Sequence, residues 1–321
     1  MSVIRTVIGQ FKALPYPDED CTGWTVIVTG SNTGLGLEAA RHFVRLNATK
    51  VIIACRNADK GAAAKTDIEN STQRQGVMEV WHLDLCSSQS VKDFAARAAL
   101  LDRLDVLLNN ASILVMDHAL HDGYETMTQV NVLSTLLLTL LLLPKLRQTA
   151  TTFSVMPRVT IVSSFGAFYA FFPQRHARAI FEELKKDTLF SDRYTTTKLL
   201  QLMVMRSLAA AVDASDKGHV LVNAVNPGLC STELFRHLHF PLNVFLCLAV
   251  ATIARDSEMG SRALMAGVFA KEMHGKFMSN CKEETWPRTM VGQDGKALDD
   301  RVWGELLGIM EGVEAGVTGN I

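Results

Sequence analysis

Tyr194 and Lys198 stand four residues apart in Tyr194-Thr195-Thr196-Thr197-Lys198. On a helix that spacing puts both side chains on one face, within reach of one ligand. A phenol at its ordinary value of about 10 is a poor acid–base group at neutral pH. A nearby ammonium favours the phenolate and lowers that value, so the pair reads as a proton donor and its tuner. A second group of residues suits phosphate. Thr29-Gly30-Ser31-Asn32-Thr33-Gly34-Leu35-Gly36 follows the β-branched run 25–29. Its glycines allow a tight turn and close backbone approach, and the helix after it would offer free N–H groups and a positive dipole end to a pyrophosphate. The second apolar run ends in Cys55-Arg56, with no carboxylate to select a ribose 2′-hydroxyl. The planar fork of Arg56 suits a 2′-phosphate instead, which points to NADP.

Six short apolar runs must carry these groups: 25–29, 50–55, 78–84, 104–109, 158–163 and 220–225. Helix-compatible stretches lie between them, among them 37–46, 88–101 and 124–143. Nearly continuous apolar strands belong to a sheet buried on both faces, and strand–helix alternation means parallel pairing with right-handed crossovers. The expected fold is α/β: a Rossmann-type, doubly wound parallel sheet in a single domain over 21–321, behind an N-terminal extension at 1–20. Helical substrate-pocket segments are expected near 165–193 and 229–258.

The 321 residues are 48% apolar, ample for one buried core. With 32 Lys+Arg against 33 Asp+Glu the net charge is −1, which argues against a nucleic-acid binder and against a disordered acidic chain. Six scattered cysteines form no C-x-x-C pair, and the start lacks the apolar stretch of a secretory signal, so a reducing, cytoplasmic compartment is expected. His118/His121 and His237/His239 lack a further cluster of Cys, Asp or Glu, so no metal site is expected. The apolar runs 136–146 and 240–254 fall short of the roughly 20 residues of a transmembrane segment. The first should cover core. The second could at most make weak contact with a membrane surface.

These motifs resemble those of the short-chain dehydrogenase/reductase superfamily, whose fingerprint is T-G-x-x-x-G-x-G. The stretch TVIVTGSNTGLGLEAARHF looks especially like its retinol-dehydrogenase-like and fungal secondary-metabolism members. The likeness runs from about residue 22 to about residue 281. It implies that Tyr194 and Lys198 are the family's Y-x-x-x-K pair, bound to the cofactor as well as catalytic. It implies that Ser164, the second of Ser163-Ser164, steadies the carbonyl oxygen, with Ser163 as the fallback. Asn131, in Gln129-Val130-Asn131-Val132, would hold a water that relays protons from the lysine. Asp84 and Leu85 would contact the adenine, and Asn110 and Ala111, in Asn109-Asn110-Ala111-Ser112, would lie against the cofactor. Pro227, Gly228 and Thr232 match P-G-x-x-x-T. Ser112 departs from the family's glycine. The separation of 30 residues between Ser164 and Tyr194 is longer than usual, and retinol-dehydrogenase-like members carry a comparable insertion.

The resemblance therefore implies an NADP(H)-dependent oxidoreductase that interconverts a carbonyl and an alcohol on a bulky, lipophilic small molecule, in secondary-metabolite biosynthesis. The insertion, with Phe165, Phe168, Tyr169, Phe171 and Phe172, and the apolar segment 234–254 should build the substrate pocket. A homodimer is left open. Two other readings remain on the sequence: a cofactor-binding scaffold or redox sensor with little turnover, and an epimerase or dehydratase on the same fold.

Overall fold

In β1 (Thr25–Thr29) every residue is buried, and successive side chains enter different cores. Val26 and Val28 pack with Ala39, Phe43, Ile68 and Leu264, whereas Ile27 packs with Phe94, Leu136 and Leu199. Strand side chains alternate between faces, so a run without polar positions has apolar cover on both sides. The computed structural model describes residues 9–186, 192–235 and 252–321.

Among them the further strands are β2 (Lys50–Cys55), β3 (Met78–His82), β4 (Val106–Asn109), the separate hairpin of β5 (Leu120–His121) with β6 (Tyr124–Glu125), β7 (Arg158–Val162), β8 (Leu221–Asn226), β9 (Phe277–Ser279) and β10 (Lys282–Glu283). The main sheet has the order β10-β9-β8-β7-β4-β1-β2-β3. The expected parallel sheet gains one antiparallel edge strand, because β10 doubles back on β9. Asn280 and Cys281 make that turn with φ of 51° and 57°. Two successive left-handed residues give the tight hairpin whose twist matches its strands.

The helices are α1 (Gly34–Arg45), α2 (Ala58–Thr72), α3 (Ser88–Ala99), α4 (Thr126–Phe153), α5 (Ile180–Leu184), α6 (Arg193–Asp213), α7 (Ser257–Phe269) and α8 (Gly292–Val313). Helices α1, α2 and α7 cover one face of the sheet, and α3, α4, α6 and α8 the other. Helix α4 is long and apolar enough to cross a membrane, with hydropathy 1.7, but 94% of that window is buried inside the protein. The leucine run is thus core, and Pro144 sits on the helix's exposed side without ending it. Most of the run 240–254 lies outside the described residues.

The chain passes from β1 to β2 on one side, while β4 lies on the other. At such a reversal the loops beyond the strand C-termini splay apart and open a crevice. The glycine turn, Arg56, Asp84, Asn110, Ser164 and Pro227 all follow C-terminal strand ends around it.

Candidate active site

The end of β1 is laced to the end of β4. Asn110 Nδ2 donates to Thr29 O (2.9 Å) and Gly30 O (3.2 Å), and the Ala111 N–H donates to Thr29 Oγ1 (2.9 Å). Two glycines make room for the lacing. Gly30 has a φ of +63°, and a Cβ there would lie 2.9 Å from Ala111 Cα; a Cβ on Gly36 would lie 2.5 Å from Asn110 Nδ2. The turn therefore keeps its backbone open toward one cleft of about 1200 Å³. Gly30, Asn32, Gly34, Leu35, Asn110 and Ala111 line it, with Arg56, Asp84, Leu85, Pro227, Gly228 and Thr232. Ser31 and Gly36 stand behind the turn: Ser31 Oγ donates to Val28 O (2.7 Å), and Gly36 packs against Asn110.

At the β2 end a second cation joins Arg56. Lys60, four residues on and at the start of α2, also lines the cleft, with its ammonium 4.0 Å from Glu233. Asn57 caps this helix through the Lys60 N–H (2.8 Å). Only Arg56 was legible in the sequence, because Lys60 lies across the helix start at Asn57 and no spacing rule links the two. Asp84 both lines the cleft and accepts the Cys86 N–H (2.9 Å), so it also shapes its own turn. Ser112 stands on the cleft wall with its Oγ buried and without a hydrogen-bond partner among the described residues. Open glycine backbone, an orphaned hydroxyl and paired cations fit a dinucleotide carrying a 2′-phosphate.

Ser164, Tyr194 and Lys198 line the same cleft. Ser163 Oγ donates to the Lys198 carbonyl (2.9 Å) and ties β7 to α6. Ser164 instead faces the Tyr194 hydroxyl across the cleft wall, and its Oγ accepts the Gly166 N–H (3.0 Å). Burial pushes the Tyr194 phenol above its ordinary value, and the neighbouring Ser164 hydroxyl pulls it partly back. Burial also pushes the Lys198 ammonium down to about 7. Its Nζ lies 5.6 Å from the Tyr194 ring centroid and donates to Val162 O (2.9 Å) and Gln201 Oε1 (3.0 Å). Two of the three ammonium protons thus point to other acceptors, and the ammonium stands beside the phenol as a charge at 5.6 Å from its ring centre.

Asn131 lies off the cleft wall, in a π-helical turn at Gln129–Leu133. Its Oδ1 accepts the Ile113 N–H (2.9 Å), and its Nδ2 donates to Ile113 O (3.0 Å) and Thr197 Oγ1 (3.1 Å). The Asn131 carbonyl accepts from Gln201 Nε2 (2.7 Å), so Gln201 bridges Lys198 and Asn131. Gln201 went unread in the sequence, although its place three residues after Lys198 puts it on the same helix face.

The aromatic insertion behaves differently from the expectation. Phe165 and Tyr169 line the cleft, together with Leu114, Val115, Leu234, Phe235 and Ile253. Phe168 stacks on Phe165 (ring centroids 4.8 Å) and packs on the core. Phe171 is 66% exposed, and Phe172 is fully buried in the core. The Asp192 carboxylate accepts both of their N–H groups (3.0 and 2.8 Å) and turns this part of the chain away from the cleft. Residues 187–191 and 236–251 lie outside the described part of both pocket segments.

Among the described residues one trio of metal-capable groups, Asp213, His219 and His274, sits near the opposite end of β8. His274 Nδ1 accepts the Val222 N–H (3.0 Å), which leaves the ring proton on Nε2, facing Asp213 Oδ1 (3.3 Å). A nitrogen that carries a proton cannot ligate a cation.

Known proteins resemble this chain in sequence and in fold. The sequence model of the short chain dehydrogenase family matches residues 24–171. The chain is 41% identical over 319 residues to the short chain dehydrogenase/reductase dmxR8 of Cryptosporiopsis sp. (strain 8999), covering 97% of each chain. It is 45% identical over 280 residues to the short chain dehydrogenase atnD of Emericella nidulans, covering 85% of this chain and 89% of that one. The solved short-chain dehydrogenase from Sphingobium yanoikuyae in complex with NADPH shares the fold, with a TM-score of 0.60 at 18% identity over 88% of this chain and 94% of that one.

Proposed function

The chain belongs to the short-chain dehydrogenase/reductase family, enzymes that act on CH–OH and C=O groups, and within it we propose an NADP(H)-dependent oxidoreductase for a bulky, largely apolar carbonyl or alcohol. The observation that carries this reading is the convergence of Ser164, Tyr194 and Lys198 on the cleft that also holds the glycine turn and Arg56. Arg56 and Lys60 would hold the 2′-phosphate, and the open backbone at Gly30, Asn32, Gly34 and Leu35 the pyrophosphate. NADPH, when bound, supplies the hydride. Tyr194 gives its proton to the developing alkoxide, and its raised value keeps that proton in place through neutral pH. Ser164 hydrogen-bonds the same oxygen. Lys198 adds positive charge beside the phenol and would hold the cofactor's ribose. In the reverse direction the same groups remove the alcohol proton.

Phe165, Tyr169, Leu234 and Phe235 make the substrate wall apolar, which favours a lipophilic skeleton over a small polar one. The NADPH found with the Sphingobium enzyme and the fungal relatives support the cofactor and a secondary-metabolite setting. The five described cysteines are free thiols, which supports a reducing cytoplasm. The test is NADPH consumption by the purified chain with a panel of lipophilic ketones and aldehydes, with product analysis. Alcohol formed in proportion to NADPH lost is the expected result. Product formed without loss of NADPH would point to an epimerase or dehydratase.

A further inference from the structure

The N-terminal segment, outside the family's motifs, reaches into the cleft. Gln10 is buried and lines its wall. Its Oε1 accepts the Leu229 N–H (3.1 Å), and its Nε2 donates to Leu229 O (2.8 Å) and Ile253 O (3.3 Å). A primary amide thus satisfies both backbone groups of one residue, in the loop that begins at Pro227, and a carbonyl where the chain returns at Ile253. Gly228, between them, has a φ of +86°, and a Cβ there would collide with Gln10 Oε1.

The buried Arg255 completes the clamp. Its guanidinium donates to Pro227 O (2.9 Å), Gly9 O (2.7 Å) and Asn280 Oδ1 (2.7 Å). The sheet order places this loop after β8, beside the strand that carries Ser164 and across β4 and β1 from Arg56. The clamp therefore acts on the end of the cleft that holds the reaction groups.

We propose that Gln10 is a positioning residue of the active site, which holds the Pro227–Cys230 loop in the place where it contacts the nicotinamide end of the cofactor. This rests on the cofactor reading given above. The adenine end, held by the glycine turn and Arg56, does not depend on Gln10. Truncation or replacement at this position should then weaken cofactor binding at one end only.

The experiment compares the full-length chain with Gln10→Met, which keeps volume and apolar packing but removes all three hydrogen bonds. Binding is measured for NADPH and for 2′-phospho-ADP-ribose, the same molecule without its nicotinamide. Gln10→Met should weaken NADPH about tenfold and leave 2′-phospho-ADP-ribose within about twofold. KM for NADPH should rise with phenanthrenequinone as the acceptor. Equal weakening of both ligands, or of neither, overturns the proposal. Failure of the unaltered chain to bind either ligand overturns the cofactor reading itself and is told apart by that result.

Discussion

Lys198 Nζ is held 5.6 Å from the centre of the Tyr194 ring by hydrogen bonds to Val162 O and Gln201 Oε1. The lysine is buried among neutral partners. From β7 it meets a backbone carbonyl, and from the Asn131 turn a carbonyl reached through Gln201. Tyr194, on its own helix, is the titratable group beside it. Burial alone moves its value down to about 7.

That position predicts a pH profile. A lysine lowered to about 7 is charged below that pH and neutral above it. If the charged form assists reduction, kcat/KM falls as pH rises through about 7. Lys198→Arg keeps its charge at every accessible pH, so this limb should vanish even where the overall rate is lower. A limb that persists unchanged in Lys198→Arg assigns it to another group.

Gln201→Leu removes an acceptor from the ammonium. A hydrogen bond to a charged group contributes about 1.5–3 kcal/mol, and one pH unit corresponds to about 1.4 kcal/mol. The same limb should therefore move about one unit or more toward acid. Gln201→Glu should move it the other way. Profiles that coincide with the unaltered enzyme would show that Gln201 does not act on Lys198.

Cofactor choice tests the β2 end. A charge-assisted contact of about 1.5–3 kcal/mol gives roughly tenfold or greater preference for NADPH over NADH. Arg56→Asp should reverse it, and Lys60→Ala should reduce it by a smaller factor. Equal affinity of the unaltered chain for both cofactors would remove these side chains from the phosphate site.

The aromatic residues separate by position. Phe165→Ser and Tyr169→Ser should lower kcat/KM for lipophilic ketones more than for small polar ones. Phe171→Ser, at an exposed position, should change neither. Phe172→Ala should lower Tm by about 5 °C, as expected for a large core deletion in a chain of this size, with the substrate ratio preserved. A changed substrate ratio in Phe171→Ser would return that residue to the pocket.

The main strands were legible because β1, β2, β4, β7 and β8 are apolar nearly throughout, and only a doubly covered sheet accommodates such runs. The edge hairpin was not, since Asn280-Cys281 lacks the glycine that usually marks such a turn. Tyr194 and Lys198 were legible as a pair because four residues separate them on one helix, whereas Ser164, thirty residues before Tyr194, was named by the family resemblance alone. Gln10 and Gln201 were not, because an amide carries no charge and its role depends on which backbone groups the fold brings to it. Phe171 and Phe172 were placed in the pocket wrongly for the same reason, whereas Phe165 and Tyr169 do line the cleft. Phe165 and Phe172 are alike in sequence, and the Asp192 carboxylate, twenty residues on from Phe172, turns that stretch of chain away from the cleft.

Tyr194→Phe tests the central claim most directly. The ring and its packing remain, and only the hydroxyl that faces Ser164 is lost. NADPH affinity should stay within about twofold, while kcat for reduction of a lipophilic ketone should fall by about a hundredfold or more, the range of a lost general acid. Retention of more than half the turnover by Tyr194→Phe, with cofactor binding intact, would contradict the account.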